Sequence, residues 1–236
     1  NLAAFEAVLA DVSARKLDYD IVWCLGDLVG YGPDPNECIA LLQTLPHICL
    51  SGNHDWAALG RIDLRTFNPD AAALALWTRE ALTPQNLRFL MARPSSLAQD
   101  DYLLAHASPR EPIWEYVLDV MVAEEHFPCF DQRYCLVGHT HMPAVFVEDG
   151  KTRAVRLSYA TPGAPVTLRR DARYIVNPGS VGQPRDGDPR AAYALLDTTT
   201  PTWTTHRVEY PIQATQDRMR ANRFPARMID RLNYGR

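Results

Sequence analysis

Four short apolar runs in this chain each stop at a side chain able to hold a metal ion. Asp20-Ile21-Val22-Trp23-Cys24-Leu25 ends at Gly26-Asp27, and Ile48-Cys49-Leu50-Ser51 runs into Gly52-Asn53-His54-Asp55. Asp101-Tyr102-Leu103-Leu104-Ala105 ends at His106, and Tyr134-Cys135-Leu136-Val137 leads into Gly138-His139-Thr140-His141. Apolar runs of this length, bounded by turn residues, read as buried strands. In an open α/β sheet, ligands bind just past the carboxyl ends of the strands. Four such ends therefore predict an α/β chain with its chemistry gathered on one rim.

The rest of the chain fits around those strands. Leu2, Phe5, Val8, Leu9 and Val12 recur at helical spacing behind Asn1 as an N-cap. A Gly/Pro-rich loop (29–35) leads to a helix through Ile39, Leu41 and Leu42. Residues 56–98 read as helical, with starts at Asn68-Pro69-Asp70 and Thr83-Pro84. This stretch begins directly after His54 and is placed to cover a cleft there. Beyond His141 the grammar changes to strands: Ala144–Val147 and Arg153–Leu157 flank the hairpin signal Asp149-Gly150. Tyr174-Ile175-Val176 ends at Asn177-Pro178-Gly179-Ser180, and Ala191–Leu196 with Trp203–Tyr210 read as an antiparallel pair. A helical region after Pro211 would pack through Met219, Phe224, Met228, Ile229 and Leu232. No linker or repeat divides the chain, so the expectation is one domain over residues 1–236.

Composition excludes some partners. A net charge of −4 with a pI near 6.0 argues against a duplex nucleic-acid surface and leaves small phosphorylated substrates open. No apolar run approaches the roughly 18 residues of a membrane helix. The five cysteines are odd in number and scattered without a C-x-x-C pair, which fits a reducing, cytoplasmic compartment.

Asp27 offers a charged oxygen able to bridge two cations, and Asn53 a neutral one. In extended chain, residues i and i+2 point the same way, so His139 and His141 can face one site together. Three imidazoles bias the set toward Mn, Fe, Co, Ni or Zn and away from Ca or Mg. Any one of these groups alone reads as an ordinary turn or cap; their repetition at strand ends does not. His47, His126 and His206 lack such a setting and are read as ordinary residues. Arg110 and Tyr31 are candidate substrate contacts, as is Asn177, although a surface ion pair for Arg110 and a tight turn at Asn177 and Ser180 compete with those readings.

The series Gly26-Asp27, Gly52-Asn53-His54-Asp55, His106 and Gly138-His139-Thr140-His141 resembles the calcineurin-like metallophosphoesterase superfamily. The blocks Gly30-Tyr31-Gly32-Pro33-Asp34-Pro35 and Asn177–Gly182 resemble its small prokaryotic, phosphodiesterase-like branch. The resemblance implies a four-layer α/β/β/α sandwich of two mixed sheets flanked by helices. It implies two divalent metals about 3.5–4 Å apart and a bridging hydroxide attacking a phosphoester. Asp27 would bridge the two metals. Asn53, His106 and His139 would complete one ion, and His141 would join the other. His54 would assist the leaving oxygen, with Asp55 orienting it. The family's D-x-H block is not in the chain, which leaves the second ion with Asp27 and His141 alone. The expectation is a further strand carrying that block ahead of Asn1. Monoester and diester substrates both stay open, as do a protein Ser/Thr phosphatase, a dinucleoside polyphosphate hydrolase and a scaffold on the same fold.

Overall fold

A computed structural model describes every residue of the chain except Tyr159. Helix α1 (Leu2–Ala14) starts at Asn1, whose side chain accepts from the Ala4 N–H. It is followed by β1 (Val22–Cys24), α2 (Pro35–Gln43), β2 (His47–Cys49) and the short α3 (Asn53–Ala58). Next come α4 (Pro69–Ala81), α5 (Pro84–Met91), β3 (Ser96–Gln99), β4 (Tyr102–Ala105), α6 (Val120–His126) and β5 (Tyr134–Leu136). The remainder is β6 (Ala144–Asp149), β7 (Val155–Ser158), β8 (Val166–Thr167), β9 (Ala172–Asn177), β10 (Ala191–Asp197), β11 (Thr202–Val208), α7 (Ile212–Ala221) and α8 (Ala226–Asp230). The helices at Pro69 and Pro84 start where Asn68 and Thr83 accept from the third residue on, with Pro fixing the first helical φ.

One layer is a six-stranded mixed sheet, β3-β4-β5-β9-β6-β7, in which β4, β5 and β9 run parallel. Tyr102, Tyr134 and Tyr174 are register partners across those three strands, and their rings stack at 5.1 and 5.8 Å. The facing layer has two parts: the parallel pair β1-β2 and the antiparallel ribbon β10-β11-β8. Trp23, Ile48, Trp203 and Leu196 from these parts join Leu104, Tyr134, Val145 and Tyr174 of the large sheet in one core. Cys135, Phe146 and Ile175 point the other way, onto Ala123, Phe127 and Phe130. Alternation along each strand thus gives the large sheet two buried faces. Helix α1 covers β10 through Ala3, Ala4 and Val8. The expected four layers are present. Strands β3 and β8 were not foreseen, because four and two residues of mainly polar or small character carry no period-2 signal.

Among the described residues, β1 and β10 each pair on one side only. Their free edges border a slot of about 760 Å³, lined by Phe5, Val8, Trp23, Leu25, Ala194 and Leu196 among others. Asn1, Asp27, His139 and His141 also line this slot. Among the described residues no helix is long and apolar enough to cross a membrane.

Candidate metal centre

The parallel strands put their carboxyl ends on one rim, and the loops that leave them interlock. The Gly138 N–H donates to the His106 carbonyl at 2.8 Å, and His106 Nδ1 meets the Leu25 carbonyl at 2.7 Å. Gly52 and Gly26 make this closeness possible. A Cβ on Gly52 would collide with Asp27 Oδ1, and one on Gly26, already at φ 91°, would lie 2.7 Å from His106 Nδ1. Asp27, His139 and His141 hold φ of 54°, 58° and 61°, a left-handed conformation that L residues with a Cβ rarely adopt. Each such residue costs on the order of 1–3 kcal/mol, and such residues cluster at functional sites. The extended geometry expected for His139 to His141 is therefore absent. The two side chains come to the site through two left-handed turns, with Thr140 N–H bonded to the Gly138 carbonyl at 2.6 Å between them.

Ligand-type atoms of Asp27, His106 and His139 lie within 4.8 Å of one another. His106 Nε2 is 3.2 Å from Asn53 Oδ1 and 3.5 Å from Asp27 Oδ2. Backbone carbonyls fix the ring that each histidine can spare. His106 Nδ1 donates to the Leu25 carbonyl, His139 Nε2 faces the Trp114 carbonyl at 3.2 Å, and His141 Nδ1 faces the Gln183 carbonyl at 2.6 Å. The second nitrogen of each ring then presents a lone pair, and His139 Nδ1 is buried with no partner. Metal-bound imidazoles are oriented in this way. A lone pair on His106 Nε2 facing an amide oxygen and a carboxylate oxygen is repulsive unless a cation stands among them. The residues present therefore fit a divalent metal, with Asp27, Asn53, His106 and His139 as its donors.

Electrostatics agree. Burial alone would raise the Asp27 carboxyl, but the surrounding imidazoles, His106 first, reverse this and hold it at about 2. Burial pushes His139 and His54 down to about 4, and it pushes His141 well below the usual imidazole range with Arg185 adding like charge. These three imidazoles are thus neutral at pH 7, the form that binds metal.

The comparisons with known proteins decide the family. The family model described as the calcineurin-like phosphoesterase superfamily domain matches residues 1–201. The chain belongs to that superfamily. It is 43% identical to a metallophosphoesterase from Sphaerobacter thermophilus whose crystal structure superposes with a TM-score of 0.89, covering 100% of this chain and 95% of that one. It is 36% identical to an uncharacterised protein of Methanocaldococcus jannaschii, over 100% of this chain and 94% of that protein. A hypothetical protein from Pyrococcus horikoshii shares the fold at 20% identity, with a TM-score of 0.79 and coverage of 99% and 94%.

In this phosphoesterase domain the remaining predicted residues fall into two groups. Tyr31 is drawn into the centre: its hydroxyl donates to Asp27 Oδ2 at 3.3 Å, and its ring lies 4.0 Å from that of His54 and edge-on to His141 at 5.0 Å. His54 donates its backbone N–H to Asp27 Oδ1 at 2.8 Å, while its Nδ1 is buried without a partner. Asp55 does not orient it. One step along a helix turns a side chain away from its neighbour, and Asp55 accepts instead from Gly52, Val29 and Leu28 N–H groups at 2.8, 3.1 and 3.4 Å. It laces the two ligand loops together, with its pKa lifted to about 7 by burial and by Asp27.

Asn177 is also behind the centre and not in the cleft. Its amide bonds the Gly138 carbonyl at 2.6 Å and Thr140 Oγ1 at 3.0 Å, and its oxygen accepts from Gly179, so it braces the His139–His141 loop. Arg110 is paired with Glu115 and, at 3.4 Å, with Glu125, so its charge is already matched. Of residues 56–98, Phe67 reaches the site, edge-on to His54 at 5.1 Å and to Trp114 at 5.3 Å. Helix α4 packs through Leu74 on Met219 and Phe224, and α5 through Leu90 on Ile39. Sequence reasoning missed Phe67, Gln183 and Arg185, none of which follows an apolar run.

Proposed function

We propose that this chain hydrolyses a phosphoester with divalent metal help. The reading rests on one observation above all: ligand-type atoms of Asp27, His106 and His139 lie within 4.8 Å of one another, with Asn53 Oδ1 3.2 Å from His106 Nε2. A divalent ion held there would polarise a phosphoryl oxygen and lower the pKa of water. The chain's own residues do the rest. Neutral at pH 7, His54 can donate a hydrogen bond through its one ring N–H to the leaving oxygen, and the negative charge of a bound phosphate would raise its pKa so that the imidazolium form can hand over a proton. Tyr31 fixes the His54 ring from one side and Phe67 from another.

A second ion would take Asp27 and His141 as donors among the described residues. Mn, Fe, Zn, Co and Ni all suit this donor set, and a cytoplasmic setting agrees with it.

The experiment is hydrolysis of bis(p-nitrophenyl) phosphate by Mn²⁺-loaded protein. His54→Ala should lower kcat by about 10²–10⁴-fold while metal content is retained. Full activity in that variant overturns the role of His54. No metal and no turnover in the parent protein would put a scaffold role ahead.

A further inference from the structure

We infer that Arg185 is an anion anchor of this centre, taking a non-bridging oxygen of the substrate's phosphoryl group; the inference rests on the phosphoester reading above. Arg185 follows the loop that carries Gln183, and its own N–H bonds the His141 carbonyl at 3.2 Å, so its backbone is tied to a candidate ligand. Its Nη2 donates to the Tyr31 hydroxyl at 3.3 Å and to Gln183 Oε1 at 3.1 Å, and the guanidinium lies 5.6 Å from the Tyr31 ring centre. Both acceptors are neutral. Nε is buried with no partner, and so is Gln183 Nε2 on the neighbouring side chain.

The neighbouring acids do not match its charge. Asp186 is paired with Arg207, and Asp188 with Arg190 at 2.6 Å. Among the described residues no carboxylate lies within ion-pair distance of Arg185. Its link to a negative charge is indirect, through the Tyr31 hydroxyl, which accepts from Arg185 and donates to Asp27. Once Asp27 serves a cation, that charge is spent. A second guanidinium, Arg231, is close enough for the two cations to act on one another. A half-buried arginine with unused donors, beside a metal centre, calls for an anion, and the planar fork of a guanidinium suits phosphoryl oxygens. The alternative is that Arg185 only steadies Tyr31 and, through it, Asp27.

The test is calorimetric binding of inorganic phosphate to the Mn²⁺-loaded protein, with KM and kcat for bis(p-nitrophenyl) phosphate measured alongside. Arg185→Met should weaken phosphate binding about tenfold or more and raise KM with kcat changed less, while metal content stays at the parent level. Arg185→Lys should recover part of the loss, and it covers the case in which the methionine variant does not fold. Arg190→Met, which removes a guanidinium already paired with Asp188 at 2.6 Å, should leave phosphate binding within about twofold. Unchanged phosphate binding in Arg185→Met overturns the inference, as does an equal loss in Arg190→Met. If the parent protein binds phosphate through Arg185 but hydrolyses nothing, the anchor stands and the hydrolase reading fails.

Discussion

Two polar clusters each take a residue from the loop after β4 in this protein, and they use nearly the same residue types to opposite ends. In one, Glu115 accepts from Arg110, from Ser108 Oγ at 2.7 Å and from His126 Nε2 at 2.8 Å, while His126 Nδ1 faces the Val122 carbonyl at 2.6 Å. Among the described residues, none of that cluster's buried side-chain atoms lacks a partner. In the other, Asp27, Asn53, His106 and His139 turn acceptors toward one another, and the protons that would pair them are committed to backbone carbonyls on the far side of each ring. Histidine plus carboxylate is therefore not the mark of a functional site. The mark is a surplus of acceptors bought with strained backbone at Asp27, His139 and His141.

The comparison breaks most visibly if the acceptor cluster loses a member. Asp27→Ala should abolish metal binding and lower turnover by a factor on the order of 10³ or more, since a metal's charge stabilisation is worth several kcal/mol. Metal analysis with a turnover assay reads both, and retention of full metal would place the ion elsewhere. The saturated cluster should behave oppositely. Glu115→Ala strands the buried His126 nitrogen and should cost about 1–3 kcal/mol of stability. Denaturant unfolding measures the loss, with metal content and kcat close to the parent values. A large fall in metal content would show that the two clusters are not separate.

Acid sharpens the contrast further, with a smaller effect. A lowered pKa favours the deprotonated imidazole, which is the ligand form, so protons compete with metal at His139 only as the pH nears about 4. An unperturbed histidine would begin to release metal near its ordinary pKa of about 6.5. The His139 ring should stay unprotonated between pH 7 and pH 6 and take up its proton between pH 5 and pH 4, read by its NMR titration in the metal-free protein. Half-protonation of that ring at pH 6.5 would contradict the burial argument.

The strand ends were legible because an apolar run that stops at Gly-Asp or Gly-His-x-His leaves two marks at once, a buried strand and an exposed ligand. Asp27, Asn53, His106 and His139 all carry both, and the structure brings them together. Adjacency misled at Asp55, where the helix begun at Asn53 rotates the next side chain toward the Leu28–Val29 loop. Asn177 ends β9 on the same rim, yet its amide is consumed by the Gly138 carbonyl, a contact 39 residues away that no local pattern encodes. Arg185 and Gln183 sit past a glycine turn with no period to read, and they reach the centre only because β9 is parallel to β5. The left-handed residues were invisible, since Asp and His carry no sequence signal for φ > 0 of the kind glycine does.

The most direct test is anomalous diffraction from crystals grown with Mn²⁺ or Zn²⁺. A metal peak bounded by Asp27, Asn53, His106 and His139, at about 2.0–2.2 Å from the nitrogen and oxygen donors, is the predicted result. A peak at other residues, or water among those four groups at saturating metal, would contradict it.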